Sequence, residues 1–149
     1  MIRLITRRIY RHGLDALERG DLDALLARFD DRCTLTFVGD TPLGASLAGT
    51  ADIRRWFERF VRLVPTPTFR VRHSLVNGPL WNQRLAAHVT IHSTVAGEPY
   101  ENQFAHFLRL QWGRVVDDVI IEDSQRWDRA CQRLVAVGVT EAAAPPMGH

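Results

Sequence analysis

Histidine is the side chain whose ordinary pKa lies closest to neutral pH. Two of the six histidines fall on alternating, strand-like segments with apolar neighbours on their own face. His73 shares a face with Val71 and Leu75, and His106 shares one with Phe104 and Leu108. An imidazole among apolar walls is suited to proton transfer, because a dry site sharpens both its basicity and its partners' pull. Asn102, on the same face as His106, offers an amide donor for a substrate oxygen. His88 and His92 also share a face, but it is the one opposite their strand's apolar residues. A pair so placed needs a third ligand to hold a metal, and none is apparent, so no metal site is expected. Asp40, in a loop with Pro42 and Gly44, reads as a turn residue. Trp56, Phe57, Phe60, Phe69, Trp81 and Phe104 supply pocket wall or core.

The elements that must position these groups follow from periodicity. The first thirty or so residues read as helix: Ile2, Ile5, Ile9, Leu14 and Leu17 lie at helical spacing. Gly20 suits a C-cap and Asp21 an N-cap for a short second helix carrying Leu22, Leu25, Leu26 and Phe29. Cys33 to Val38 reads as a strand, followed by a loop from Gly39 to Ala48. A third helix, capped by Thr50 or Asp52, carries Ile53, Trp56, Phe57, Phe60, Val61 and Val64 and ends at Pro65 and Pro67. Four strands follow, with tight turns at Gly97-Glu98 and Trp112-Gly113, then a closing helix from about Gln125 to Val137. Three N-terminal helices against a strongly curved antiparallel sheet make an α+β domain, a cone-shaped α+β barrel over 1–137, with 138–149 as a flexible tail.

This order resembles the SnoaL-like group of the nuclear transport factor two-like superfamily. The pieces are Glu18-Arg-Gly-Asp-Leu-Asp-Ala-Leu at the helix junction, Phe29-Asp-Asp-Arg-Cys-Thr-Leu-Thr-Phe, the stretch from Pro42 to Phe57, Tyr100-Glu-Asn, and Arg109-Leu-Gln-Trp-Gly-Arg-Val. The fold hosts several chemistries, so the resemblance does not select one. The strand Arg72-His-Ser-Leu-Val-Asn is similar to the one bearing the catalytic histidine in scytalone dehydratase and hexachlorocyclohexane dehydrochlorinase. There a carboxylate before the Gly-Asp junction orients the histidine. The resemblance thus implies Glu18 orienting His73, with Glu in place of those enzymes' Asp. It also sets His106 where ketosteroid isomerases carry an acidic oxyanion-hole residue. SnoaL-like cyclases and limonene epoxide hydrolases have an Asp where this chain has Ile120. Asp118 and Glu122, flanking Ile120 on one face, could substitute for it; a bulge would instead turn Asp117 and Asp123 inward.

Composition narrows the partners. A formal charge of +2, with Arg and acidic residues interspersed and no Lys, does not make a nucleic-acid surface. No apolar run reaches the roughly 18 residues of a membrane span, and no signal-peptide core is visible, so neither nucleic acid nor membrane is expected and the cytoplasm is the default. Cys33 and Cys131 have no metal or redox spacing and read as buried thiols. The expectation is a cofactor-independent lyase or isomerase for a small, mostly apolar cyclic or polyketide-like molecule. His73, Glu18 and His106 would be catalytic, and Asn102, Trp56, Phe60, Phe69, Phe104, Asp118, Ile120 and Glu122 would contact substrate. A non-catalytic ligand-binding or protein-interaction module and an oxygenase small subunit are the alternatives. Thr90, Thr94, Ala105 and Phe107 on the outer sheet face suit a homodimer.

Overall fold

The computed structural model describes residues 1–148. Its elements are α1 (Ile2–Glu18), α2 (Leu22–Leu26), β1 (Phe29–Phe37), β2 (Ala45–Ala48), α3 (Thr50–Leu63), β3 (Thr68–Asn77), β4 (Gln83–Val95), β5 (Glu98–Gln111), β6 (Arg114–Glu122), α4 (Ser124–Ala136) and a 3₁₀ turn at Thr140–Ala143. The six strands form one sheet in the order β2-β1-β6-β5-β4-β3, with α1 and α3 packed on its inner face. This is the expected α+β plan. The curved sheet remains open, with β2 and β3 as its edges.

Two type I′ hairpins set the register of the meander. Ala96 and Gly97 both have positive φ, as do Trp112 and Gly113, and such turns match the twist of antiparallel strands. The first therefore centres one residue earlier than Gly97-Glu98. Between β1 and β6 the pairing is parallel, Leu35 opposite Asp118 and Phe37 opposite Ile120. This contact closes the sheet's centre from opposite ends of the chain.

Several local expectations are corrected. The buried stripe of α1 is Thr6, Tyr10, Leu14 and Leu17, while Ile2 and Ile5 face water and Ile9 is partly exposed. The helix turns about 100° per residue, and spacings of four from Thr6 keep Tyr10 and Leu14 on one side. Gly49, at φ +90°, occupies the N-cap of α3 in place of Thr50 or Asp52. The loop after β1 contains the short edge strand β2. The last segment packs against the body: Ala142 is buried, Glu141 bonds the Arg62 guanidinium at 2.8 Å, and Met147 bridges to Ala45. Small residues there fit close to α3 and β2, and the ion pair joins Glu141 to α3, so residues 138–148 pack on the body where a flexible tail was expected.

Clamps hold α1 over the sheet. The Thr6 hydroxyl donates to Gln83 Oε1 at 2.6 Å. Arg11 donates to the Phe69 carbonyl at 2.9 Å, and Glu18 accepts from the Phe69 amide at 2.8 Å. Both thiols are buried and free, and burial pushes each up to about 12, which keeps them protonated and unreactive.

Candidate functional site

The sheet's inner face and the helices surround a cavity of about 100 Å³. Trp56, Phe57 and Phe60 of α3 line it with Phe69 and Phe104. Their rings pack in series: Trp56 stacks on Phe60, Phe60 on Phe69, and Phe69 meets Phe104 edge-on. Such an aromatic wall binds apolar rings without ordering many rotors. Ile9, Gly13 and Arg28 reach solvent on the α1–α2 side.

Polar groups enter this wall at two places on β6. Asp118, Ile120 and Glu122 share the inner face, and all three line the cavity. The register shift between Arg109 and Leu110 fixes this phase after Val115. Asp117 is left outward, where it accepts from the Thr34 hydroxyl at 2.6 Å, and Asp123 becomes the N-cap of α4.

The first polar place is a hydrogen-bonded chain. His106 lies between Tyr10 and Asp118, with Nδ1 at 2.9 Å from the Tyr10 hydroxyl and Nε2 at 2.6 Å from Asp118 Oδ1. Asp118 is 2% exposed and His106 9%. An ionised carboxylate only accepts, so Nε2 carries a proton; in the neutral ring Nδ1 then accepts from Tyr10. Burial, reinforced by the Asp118 charge, raises the Tyr10 pKa and keeps the phenol a donor.

The second place is Glu122. Its Oε2 lies 3.4 Å from the Asn102 amide nitrogen, and its Oε1 is buried with no partner. Burial first, and the Asp123 charge second, raise its carboxyl to about 8. Folding then favours the protonated form. The unfolded chain releases this proton near pH 4.5 and the folded one near 8, so stability falls as pH rises between those values, by about 1.4 kcal/mol per unit, and levels off above. Glu122→Gln should abolish this decline. Urea unfolding at pH 5 and pH 9 should show the variant gaining on the wild type by a few kcal/mol at the higher pH.

The residues singled out from sequence divide between the cavity and elsewhere. His106, Trp56, Phe60, Phe69, Phe104, Asp118, Ile120 and Glu122 line it. Glu18 and His73 are not brought together. Between Val71 and His73 the pairing of β3 with β4 skips a residue, so His73 lies opposite His88 on the outer face, exposed, with the two rings stacked at 6.1 Å. Glu18 is spent on the Phe69 amide and on Arg11. The implied dyad is therefore corrected. Asn102 is buried beside the cavity but does not line it; its amide is taken by the Tyr100 hydroxyl at 2.8 Å and the Asp123 carbonyl at 3.0 Å, besides Glu122. Trp81 is exposed, against Trp112. His88 bonds Gln103 on the outer face, and His92 faces Glu101 there. Sequence reasoning missed Tyr10. Its spacing from Thr6 and Leu14 was the available signal.

The SnoaL-like domain family matches residues 10–118, a span that begins at Tyr10 and ends at Asp118. This chain belongs to the SnoaL-like family. Its fold is that of known nuclear transport factor two-like structures. The BvnE pinacolase of Penicillium brevicompactum is similar at 14% identity and a TM-score of 0.76, over 92% of this chain and 99% of that one. A putative polyketide cyclase of Xanthomonas campestris is similar at 16% identity and 0.62, over 85% and 96%. An NTF2-like protein of Burkholderia thailandensis is similar at 18% identity and 0.65, over 84% and 95%. No curated protein sequence matches the chain. In this SnoaL-like domain the family match thus includes Tyr10 of α1, His106 of β5 and Asp118 of β6, while Glu122 lies four residues beyond it.

Proposed function

We propose that the cavity is the site of cofactor-independent acid/base catalysis, of the isomerase, cyclase or lyase type, on a small and mostly apolar cyclic molecule. The observation that carries this reading is the Tyr10–His106–Asp118 chain set into an otherwise apolar wall. Asp118 holds the imidazole in one tautomer and stabilises its protonated form. His106 then takes a proton from the substrate at Nδ1 once the Tyr10 hydroxyl turns away. The phenol, held neutral, donates to the oxygen on which charge develops. The same imidazole returns the proton elsewhere on the substrate or to a leaving group, which balances an isomerisation or an elimination. A pinacolase and a putative polyketide cyclase among structures of this fold agree with that class of chemistry.

Proton abstraction can be read before the natural substrate is known. Wild-type protein in D₂O should accelerate exchange of the α-hydrogens of cyclic ketones such as 2-decalone, followed by proton NMR. His106→Gln should lose that acceleration about 100-fold or more, the lower range of a positioned acid/base group. Acceleration of none of the ketones tested, or His106→Gln working at the wild-type rate, would overturn the reading.

A cytoplasmic homodimer is part of the same proposal. Leu75 (72% exposed), Phe107 (46%) and Ile121 (44%) leave an apolar patch on the outer face of the sheet. Phe107→Arg should convert a dimer to a monomer in sedimentation equilibrium; a wild type that sediments as a monomer would remove this part.

A further inference from the structure

The proposed chemistry uses one polar place in the cavity and leaves the other idle. Asp118 and Glu122 are four residues apart on one face of β6, which sets their backbones about 13 Å apart at ~3.3 Å per residue. Ile120 lies between them on β6 with His106 opposite it on β5, and Phe104 lies opposite Glu122. The cavity thus has apolar walls and, two residues along β6 from the position opposite His106, a second polar group.

Glu122 is built as a donor. Asn102 has two amide hydrogens for three acceptors, and the Glu122 contact, at 3.4 Å, is the longest of the three. That weak contact orients Oε2 and leaves Oε1 buried without a partner. A neutral carboxyl places its proton on the oxygen that no donor faces, and here that oxygen belongs to a side chain lining the cavity. A buried polar atom without a partner is costly and calls for an explanation. A ligand oxygen would satisfy it.

The geometry points to Glu122 as a specificity-determining anchor: its carboxyl donates from Oε1 to a second ligand oxygen, apart from the one at which His106 and Tyr10 act. Resting on the function proposed above, this defines the substrate class as a mostly apolar ring skeleton with two oxygen functions, the one that meets Glu122 being an acceptor. A site that hydrogen-bonds a substrate group rejects analogues lacking it, because its own group is then left unpaired.

The test compares 2-decalone, with one carbonyl, and decalin-2,6-dione, with a carbonyl at each end, by isothermal titration calorimetry. The dione should bind the wild type about tenfold tighter than the monoketone at pH 6.5. Glu122→Leu should erase that difference, and Glu122→Gln, whose amide still donates, should keep most of it. Raising the pH to 9.5 should erase it in the wild type and leave it in Glu122→Gln. Equal preference for the dione in wild type and Glu122→Leu, or no preference in the wild type, would overturn the anchor. These readouts are affinities, so they stand apart from the exchange rates of His106→Gln: loss of exchange chemistry would not erase a dione preference, and loss of the preference would not restore or abolish exchange.

Discussion

Asp118→Asn should slow α-hydrogen exchange in cyclic ketones by roughly 100- to 10,000-fold while leaving the fold in place. The substitution keeps the size of the side chain but turns an acceptor into a group that can donate. Asp118 Oδ1 lies 2.6 Å from His106 Nε2. An asparagine amide there can donate to Nε2, which moves the ring proton to Nδ1. Nδ1 is the nitrogen that accepts from Tyr10 and that the proposal uses as base. The variant would thus hold the imidazole in the wrong tautomer and would also lose the charge that stabilises the imidazolium. Nitrogen-15 NMR of the labelled histidine should show the Nε2–H tautomer in the wild type and a shift towards Nδ1–H in Asp118→Asn. The same tautomer in both, with exchange unimpaired, would show that Asp118 does not govern this ring.

Trp56→Ala should cost about 3–5 kcal/mol of stability in urea unfolding, the range for deleting a buried tryptophan. Trp56 packs against Phe37, Phe57 and Phe60, and its indole N–H donates to the Leu43 carbonyl at 2.7 Å. Removal leaves a void beside the cavity and strips the loop between β1 and β2 of its anchor. Trp127 gives the control. It is fully buried, but its indole nitrogen has no partner. Trp127→Phe removes an unsatisfied donor, whereas Trp56→Phe orphans a carbonyl, so the second should be costlier by about 1 kcal/mol or more. Equal losses would mean that ring volume alone sets the cost.

The architecture could be read from periodicity and turn chemistry because both are local. Strands β4 and β5 alternate in sequence as they do in space, and the positive-φ Gly97 and Gly113 mark their hairpins. The site was only half legible. His106 follows from the pleat of β5, but the pleat of β6 leaves Asp118 with Glu122 or Asp117 with Asp123 inward, and only the pairing across Arg109 and Leu110 decides between them. The mistaken placement of His73 came from the same rule, because a one-residue skip in pairing reverses every side chain beyond it, and nothing in Arg72-His-Ser announces the skip. Tyr10 was hidden by competition. Ile2, Ile5 and Ile9 offer a more apolar stripe on α1 than Thr6, Tyr10 and Leu14, yet the polar tips of Thr6 and Tyr10 find buried partners on β4 and β5 and the isoleucines do not. Partners from distant strands are not visible in local hydropathy. Glu18 shows the converse: its acid matches a known pattern, but its local geometry meets a backbone amide first.

The parallel seam of β1 and β6 has a consequence for the order in which a newborn chain becomes competent. Tyr10 leaves the ribosome long before Asp118, yet one imidazole must touch both. Until the final strand docks beside the first, the early helix has no counterpart for its phenol, and the middle hairpins can form only an unfinished cup. Non-local pairing of this kind is slow to establish. The proposed activity should therefore emerge late in synthesis and all at once, and the two halves of the chain, severed at the Pro79–Asn82 turn, should show none apart and gain it only on recombination.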